Sequence, residues 1–104
     1  MPYHYYIYIY NSDMVKDLGG FNSQPAVEAW LSTLCASIPD IRGIDIYFAM
    51  SAESGIFKLT GYIGRLFKIS NARADVLLFM PMLGVIYLGN LNNGTWTWKQ
   101  ITTS

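Results

Sequence analysis

The chain has 104 residues and 11.7 kDa, with seven Lys and Arg against seven Asp and Glu. That is one domain's length. Zero net charge excludes the usual basic nucleic-acid binder and a polybasic membrane-surface protein, because nothing here neutralises a run of phosphates. Charged residues make only 13% of the chain and hydrophobic ones 52%, which excludes disorder and favours self-association.

Tyr3 to Tyr10 is filled with tyrosine and isoleucine and is predicted as a strand. Tyr6, Tyr8 and Tyr10 share one face and Tyr5, Ile7 and Ile9 the other. With both faces apolar and polar-tipped, the face of Tyr6, Tyr8 and Tyr10 is the candidate subunit interface. Asp13 to Gly20 is expected to hold one short helical turn stopped by Gly19-Gly20.

The clearest helix follows. Asn22 or Ser23 can cap it, and Pro25 suits its first turn. Val27, Trp30, Leu31, Leu34, Cys35 and Ile38 form one apolar stripe of helical period, with Glu28, Ser32, Thr33 and Ser37 facing away. Pro39-Asp40 stops it.

The remainder reads as strands. Gly43 to Met50 alternates, with Ile44, Ile46, Phe48 and Met50 on one face. Ile56 to Ile69 holds one long bent strand or two short ones, with Gly61 and Gly64 as bend or bulge points. Asp75 to Met82 and Gly84 to Leu91 are two apolar strands. Asn92-Asn93-Gly94 is a hairpin signal, because Asn and Gly tolerate the positive φ that a type I′ turn needs. Thr95 to Ile101 closes the sheet. The fold class is therefore α+β, one amphipathic helix on a largely antiparallel sheet of about five to six strands. Residues 1–104 read as a single domain, with a strand and turn over 1–20 and the helix and sheet over 21–104. The apolar run Val76 to Leu88 is broken by Pro81 and Gly84 and is too short to span a membrane.

No catalytic set stands out, so the chain reads as a non-enzyme. One Cys and one His cannot close a zinc site or an internal disulfide, and no cofactor is implied. Cys35 lies on the apolar stripe, as a core thiol does, and His4 lies on a tyrosine strand. The carboxylates are scattered. Gly61-Tyr62-Ile63-Gly64 lacks the helix and lysine of a phosphate loop. Lys58, Arg65, Lys68 and Arg73, with Phe57, Tyr62 and Phe67, could form a nucleic-acid platform, but the zero net charge favours an ordinary solvated sheet face over it. Trp96 and Trp98, two apart on one strand, point to one face. With Tyr87 they either form a stacking platform for a sugar ring, with Asn92, Asn93 and Gln100 bonding its hydroxyls, or pack as core under the helix.

The segment from Ile86 to Ile101 carries Tyr87, Asn93-Gly94, Thr95-Trp96, Trp98-Lys99 and Ile101 in that order. It resembles the closing hairpin of phage tail-fibre tips and pyocin-type knob domains. The resemblance covers 16 of the 104 residues, and the two tryptophans are closer together here than is common in that family. It implies a trimeric, receptor-binding viral structural protein that adheres to a bacterial surface polysaccharide. It also implies a place on a virion tail or phage-like particle, after synthesis in the bacterial cytoplasm. The competing expectation is a small standalone inhibitor or immunity-like protein that acts by surface contact.

Overall fold

The computed structural model describes residues 14–102. The tyrosine-rich segment, with the candidate interface residues Tyr6, Tyr8 and Tyr10, lies outside the described residues. Six strands form one sheet in sequence order: β1 (Val15–Phe21), β2 (Arg42–Met50), β3 (Thr60–Ser70), β4 (Arg73–Met80), β5 (Val85–Asn92) and β6 (Thr95–Thr102). One helix, α1 (Gln24–Ser37), packs on it, so the fold is α+β and the sheet is mostly antiparallel.

β1 departs from the helical turn expected over residues 13–20. It pairs parallel with β2, from Val15 opposite Ile46 to Phe21 opposite Met50, with a register shift between Asp17 and Phe21. The two glycines that would end a helix instead let the strand bulge. The Asp17 carboxylate accepts the Gly19 N–H at 2.9 Å, and Gly20 adopts φ 83°. A parallel pair needs a crossover, and α1 provides it. Ser23 caps the helix by accepting the Ala26 N–H at 3.2 Å, and Pro25 sits in its first turn. Ile38 turns extended before Pro39, which ends it.

The segment expected to begin a strand at Ile56 is a loop over residues 51–59 that folds onto the same sheet face as α1. Its Phe57 is fully buried. Gln24 ties the helix start to this loop: its N–H donates to Ser54 Oγ at 2.9 Å, and its Oε1 accepts the Ile56 N–H at 3.0 Å. β3 then runs from Thr60 in unbroken register with β2, so Gly61 and Gly64 are not bulges. A Cβ at Gly64 would lie 1.8 Å from the Leu77 carbonyl oxygen, so glycine is needed there for close strand approach. The register shift in this pair of hairpins falls instead between Lys68 and Ser70.

The core lies between the sheet's inner face and the layer made by α1 and the 51–59 loop. Val27, Leu31 and Cys35 of the helix meet Ile46, Phe48, Tyr62, Leu66, Leu78 and Tyr87 of the sheet. Phe48 stacks on Tyr62 (centroids 5.1 Å apart, planes 7° from parallel) and meets Phe21, Trp30 and Phe57 edge-on. Such pairs add roughly 0.5–1.5 kcal/mol each beyond the area they bury. Among the described residues, no helix is long and apolar enough to cross a membrane.

Candidate functional site

The C-terminal hairpin forms where the sequence signals it. β5 and β6 pair antiparallel from Val85 opposite Thr102 to Asn92 opposite Thr95. Asn93 (φ 52°) and Gly94 (φ 86°) make the turn between them. Asn93 also donates its backbone N–H to the Ala72 carbonyl at 2.8 Å, which ties this turn to the β3–β4 connection.

The tyrosine and tryptophans expected to stack on a sugar face the core. Tyr87 is fully buried and donates its hydroxyl to the Ile56 carbonyl at 3.0 Å, so its ring offers no face to a ligand. Trp96 and Trp98 point under the helix and are half-buried. They stack on each other with centroids 5.6 Å apart and planes 17° from parallel. Trp98 also covers Gly89 and meets Phe57 edge-on at 5.1 Å. Their indole N–H groups bond to the helix: Trp96 to Ser32 Oγ at 3.0 Å, Trp98 to Glu28 Oε2 at 2.8 Å. Glu28 and Ser32, expected to face away from the core, are the helix's contacts to β6. The pair holds the edge strand to α1. Asn92, Asn93 and Gln100 are exposed on the hairpin.

Of the basic residues near one another in sequence, Arg65 and Arg73 share the outer sheet face, and Lys58 and Lys68 lie elsewhere. Lys58 is in the loop, 3.8 Å from Glu53. Arg65 is on the outer sheet face, paired with Asp45 at 2.5 Å and with its guanidinium 5.7 Å from the Phe67 ring centre. Lys68 points inward at 4% exposure, donates to the Ile38 carbonyl at the helix end, and lies 3.5 Å from Asp40. Cys35 is buried, with Sγ 3.8 Å from the Ser70 carbonyl, and burial pushes its thiol above the ordinary value. Burial likewise raises the Tyr62 phenol, which accepts the Lys58 N–H at 2.7 Å and donates to the Lys58 carbonyl at 2.9 Å. Among the described residues, no group of three or more His, Cys, Asp and Glu is placed to hold a metal ion.

The feature that stands out is the outer face of the sheet. Strand register lines its side chains up in rows across β2 to β6. One row is apolar throughout: Tyr47, Ile63, Phe79, Ile86 and Ile101. Ile63, Phe79 and Ile101 are 43–46% exposed. The next row runs Asp45, Arg65, Leu77, Leu88 and Lys99, and the one beyond it Gly43, Phe67, Asp75, Asn90 and Thr97. Beside the apolar ridge, these two rows enclose a shallow hollow of about 470 Å³ lined by Phe67, Leu77 and Leu88, with Asp75, Asn90 and Lys99 at its rim. Asn90 Nδ2 donates to Asp75 at 2.8 Å. The apolar surface continues onto the β4–β5 turn, where Met82 and Leu83 are exposed.

Sequence reasoning missed this face, although a signal for it exists. The strand at Val76 to Met80 is apolar at every position, the pattern of strands covered on both sides. The chain matches no family model, no curated protein and no solved structure.

Proposed function

We propose that the protein is a non-catalytic binding domain that works within an assembly, as the receptor-binding tip of a phage or phage-derived tail fibre. The observation that carries this reading is the apolar row Tyr47, Ile63, Phe79, Ile86 and Ile101, open on a sheet whose other face is already filled. A contiguous apolar patch of this kind marks an interaction surface. The fibre-tip form rests on the resemblance of the hairpin that carries Tyr87, Asn93-Gly94, Trp96 and Trp98. In this reading Trp96 and Trp98 brace the hairpin, and the exposed turn amides Asn92 and Asn93 are the groups left to bond a polysaccharide outside the cell, while Gln100 lies opposite Tyr87, away from the turn.

Binding of the full chain to a panel of immobilised bacterial surface polysaccharides tests the receptor role. Asn92→Ala combined with Asn93→Gly removes both amides while glycine keeps the positive φ of the turn. The expected result is retention of the wild type on at least one polysaccharide, weakened tenfold or more in the double variant. A chain that binds none of them, and instead forms a one-to-one complex with a single protein, is the inhibitor or immunity-like protein.

A further inference from the structure

The outer face raises a question of its occupant, and three observations point to the same one. The first is area. Three rows span about 20 Å along the strands and five strands about 24 Å at ordinary sheet spacings, and Ala49, Gly61 and Pro81 add a partial fourth row beside the ridge. That is about 550 Å² per copy and about 1,100 Å² for two, which clears the about 1,000 Å² expected of a biological interface. The second is charge. Within the three rows Asp45 and Asp75 stand against Arg65 and Lys99, so this patch is neutral in itself and complementary to its own image, with Arg73 and Lys16 at its margins. Asp45 and Arg65 already pair with each other. Asp75 has Asn90, and Lys99 has no ion-pair partner among the described residues. The third is shape. A ridge of large side chains lies directly beside a hollow, and a second copy presents the same ridge to that hollow.

We infer that the outer face of β2 to β6 is an interface between copies of this chain. The row Tyr47, Ile63, Phe79, Ile86 and Ile101 of one copy sits against the hollow at Phe67, Leu77 and Leu88 of the next. Lys99, without an ion-pair partner among the described residues of its own copy, stands at the rim of that hollow. The inference rests on the assembly half of the proposed function and not on the receptor.

The native mass of the full chain, measured by light scattering after size exclusion over a hundredfold range of concentration, tests it. The variants are Phe79→Lys and Ile63→Lys on the ridge and Ala36→Lys on α1, which covers the opposite face of the sheet. Ala36 is exposed, so that change is a control. The expected result is a dimer for the wild type and Ala36→Lys. For each ridge variant the expected result is a monomer with unchanged circular dichroism and self-association weakened roughly a hundredfold or more, as for a charge placed in a desolvated centre. Two lysine positions are used so that misfolding of one leaves the other to report. A wild-type chain that is monomeric throughout overturns the inference, because the face is then covered by this chain itself or by a different partner. Ridge variants that assemble like the wild type also overturn it. Loss of polysaccharide binding with the oligomer intact would remove the receptor reading alone.

Discussion

The two faces of one sheet differ in what finishes them. On the inner face, Phe48, Tyr62, Leu78 and Tyr87 are sealed by α1 and the 51–59 loop, and every buried polar side-chain atom among the described residues has a partner. On the outer face, side chains of similar size stand in equally regular rows, yet no described element covers them. Burial contributes roughly 25 cal/mol per Å² of apolar surface wherever it occurs. The inner face draws that energy from the chain's own fold. The outer face holds it in reserve for a partner surface. Composition alone does not separate the two; only the path of the chain around the sheet does.

The largest expected effect breaks the inner face. Phe48→Ala removes a ring in contact with Phe21, Trp30, Phe57 and Tyr62 and should cost about 3–5 kcal/mol by urea unfolding. Phe79→Ala on the outer face should lower the stability of the isolated chain by less than about 1 kcal/mol. Equal losses at the two sites would erase the distinction between the faces.

A pH titration sharpens it. Burial makes the folded chain hold the Cys35 and Tyr62 protons to higher pH than the unfolded chain does. The folded state is then the more protonated one in alkali. Its stability should fall as pH rises past the ordinary values of 9.0 for the thiol and 10.0 for the phenol. The slope is about 1.4 kcal/mol per pH unit for each group. Tyr62→Phe should remove the phenol's share, read as a shallower decline above pH 10.

Smaller effects test the border between the faces. Trp98→Phe keeps an aromatic ring over Gly89 but removes the N–H bonded to Glu28, and should cost about 1–2 kcal/mol. Ile41 is 77% exposed and held at φ 55°, unfavourable for a β-branched residue. Ile41→Gly should therefore raise the melting temperature, by the equivalent of about 0.5–1 kcal/mol. A drop would mean that the Ile41 side chain is itself covered by a partner.

Much of the fold is legible in the sequence because local chemistry and tertiary structure agree. The stripe from Val27 to Ile38, the Ser23 cap, the alternation over Ile44 to Met50 and the Asn93-Gly94 turn each fall where the residues direct them. β1 was not legible, because Asp17, Gly19 and Gly20 weaken any local preference and the strand exists only through its pairing with β2. The 51–59 loop was misread for a related reason. Ile56 and Phe57 look like strand residues, but Phe57 is apolar in order to plug the core. At the candidate site, the same-side placement of Trp96 and Trp98 follows from the period of a strand. Which side that is follows from β6 lying beside α1, a long-range fact. The outer ridge is spread over five strands, and its members meet only through register.

The measurement that reaches the central claim most directly is covalent side-chain footprinting of the full chain at low and high concentration. The account predicts that labelling of Ile63 and Phe79 falls as copies associate, while Leu59, exposed in the loop on the other side of the sheet, stays labelled and Tyr62 and Tyr87 stay protected at both concentrations. Labelling of Ile63 and Phe79 that is the same at both concentrations, with the chain shown to associate at the higher one, would contradict it.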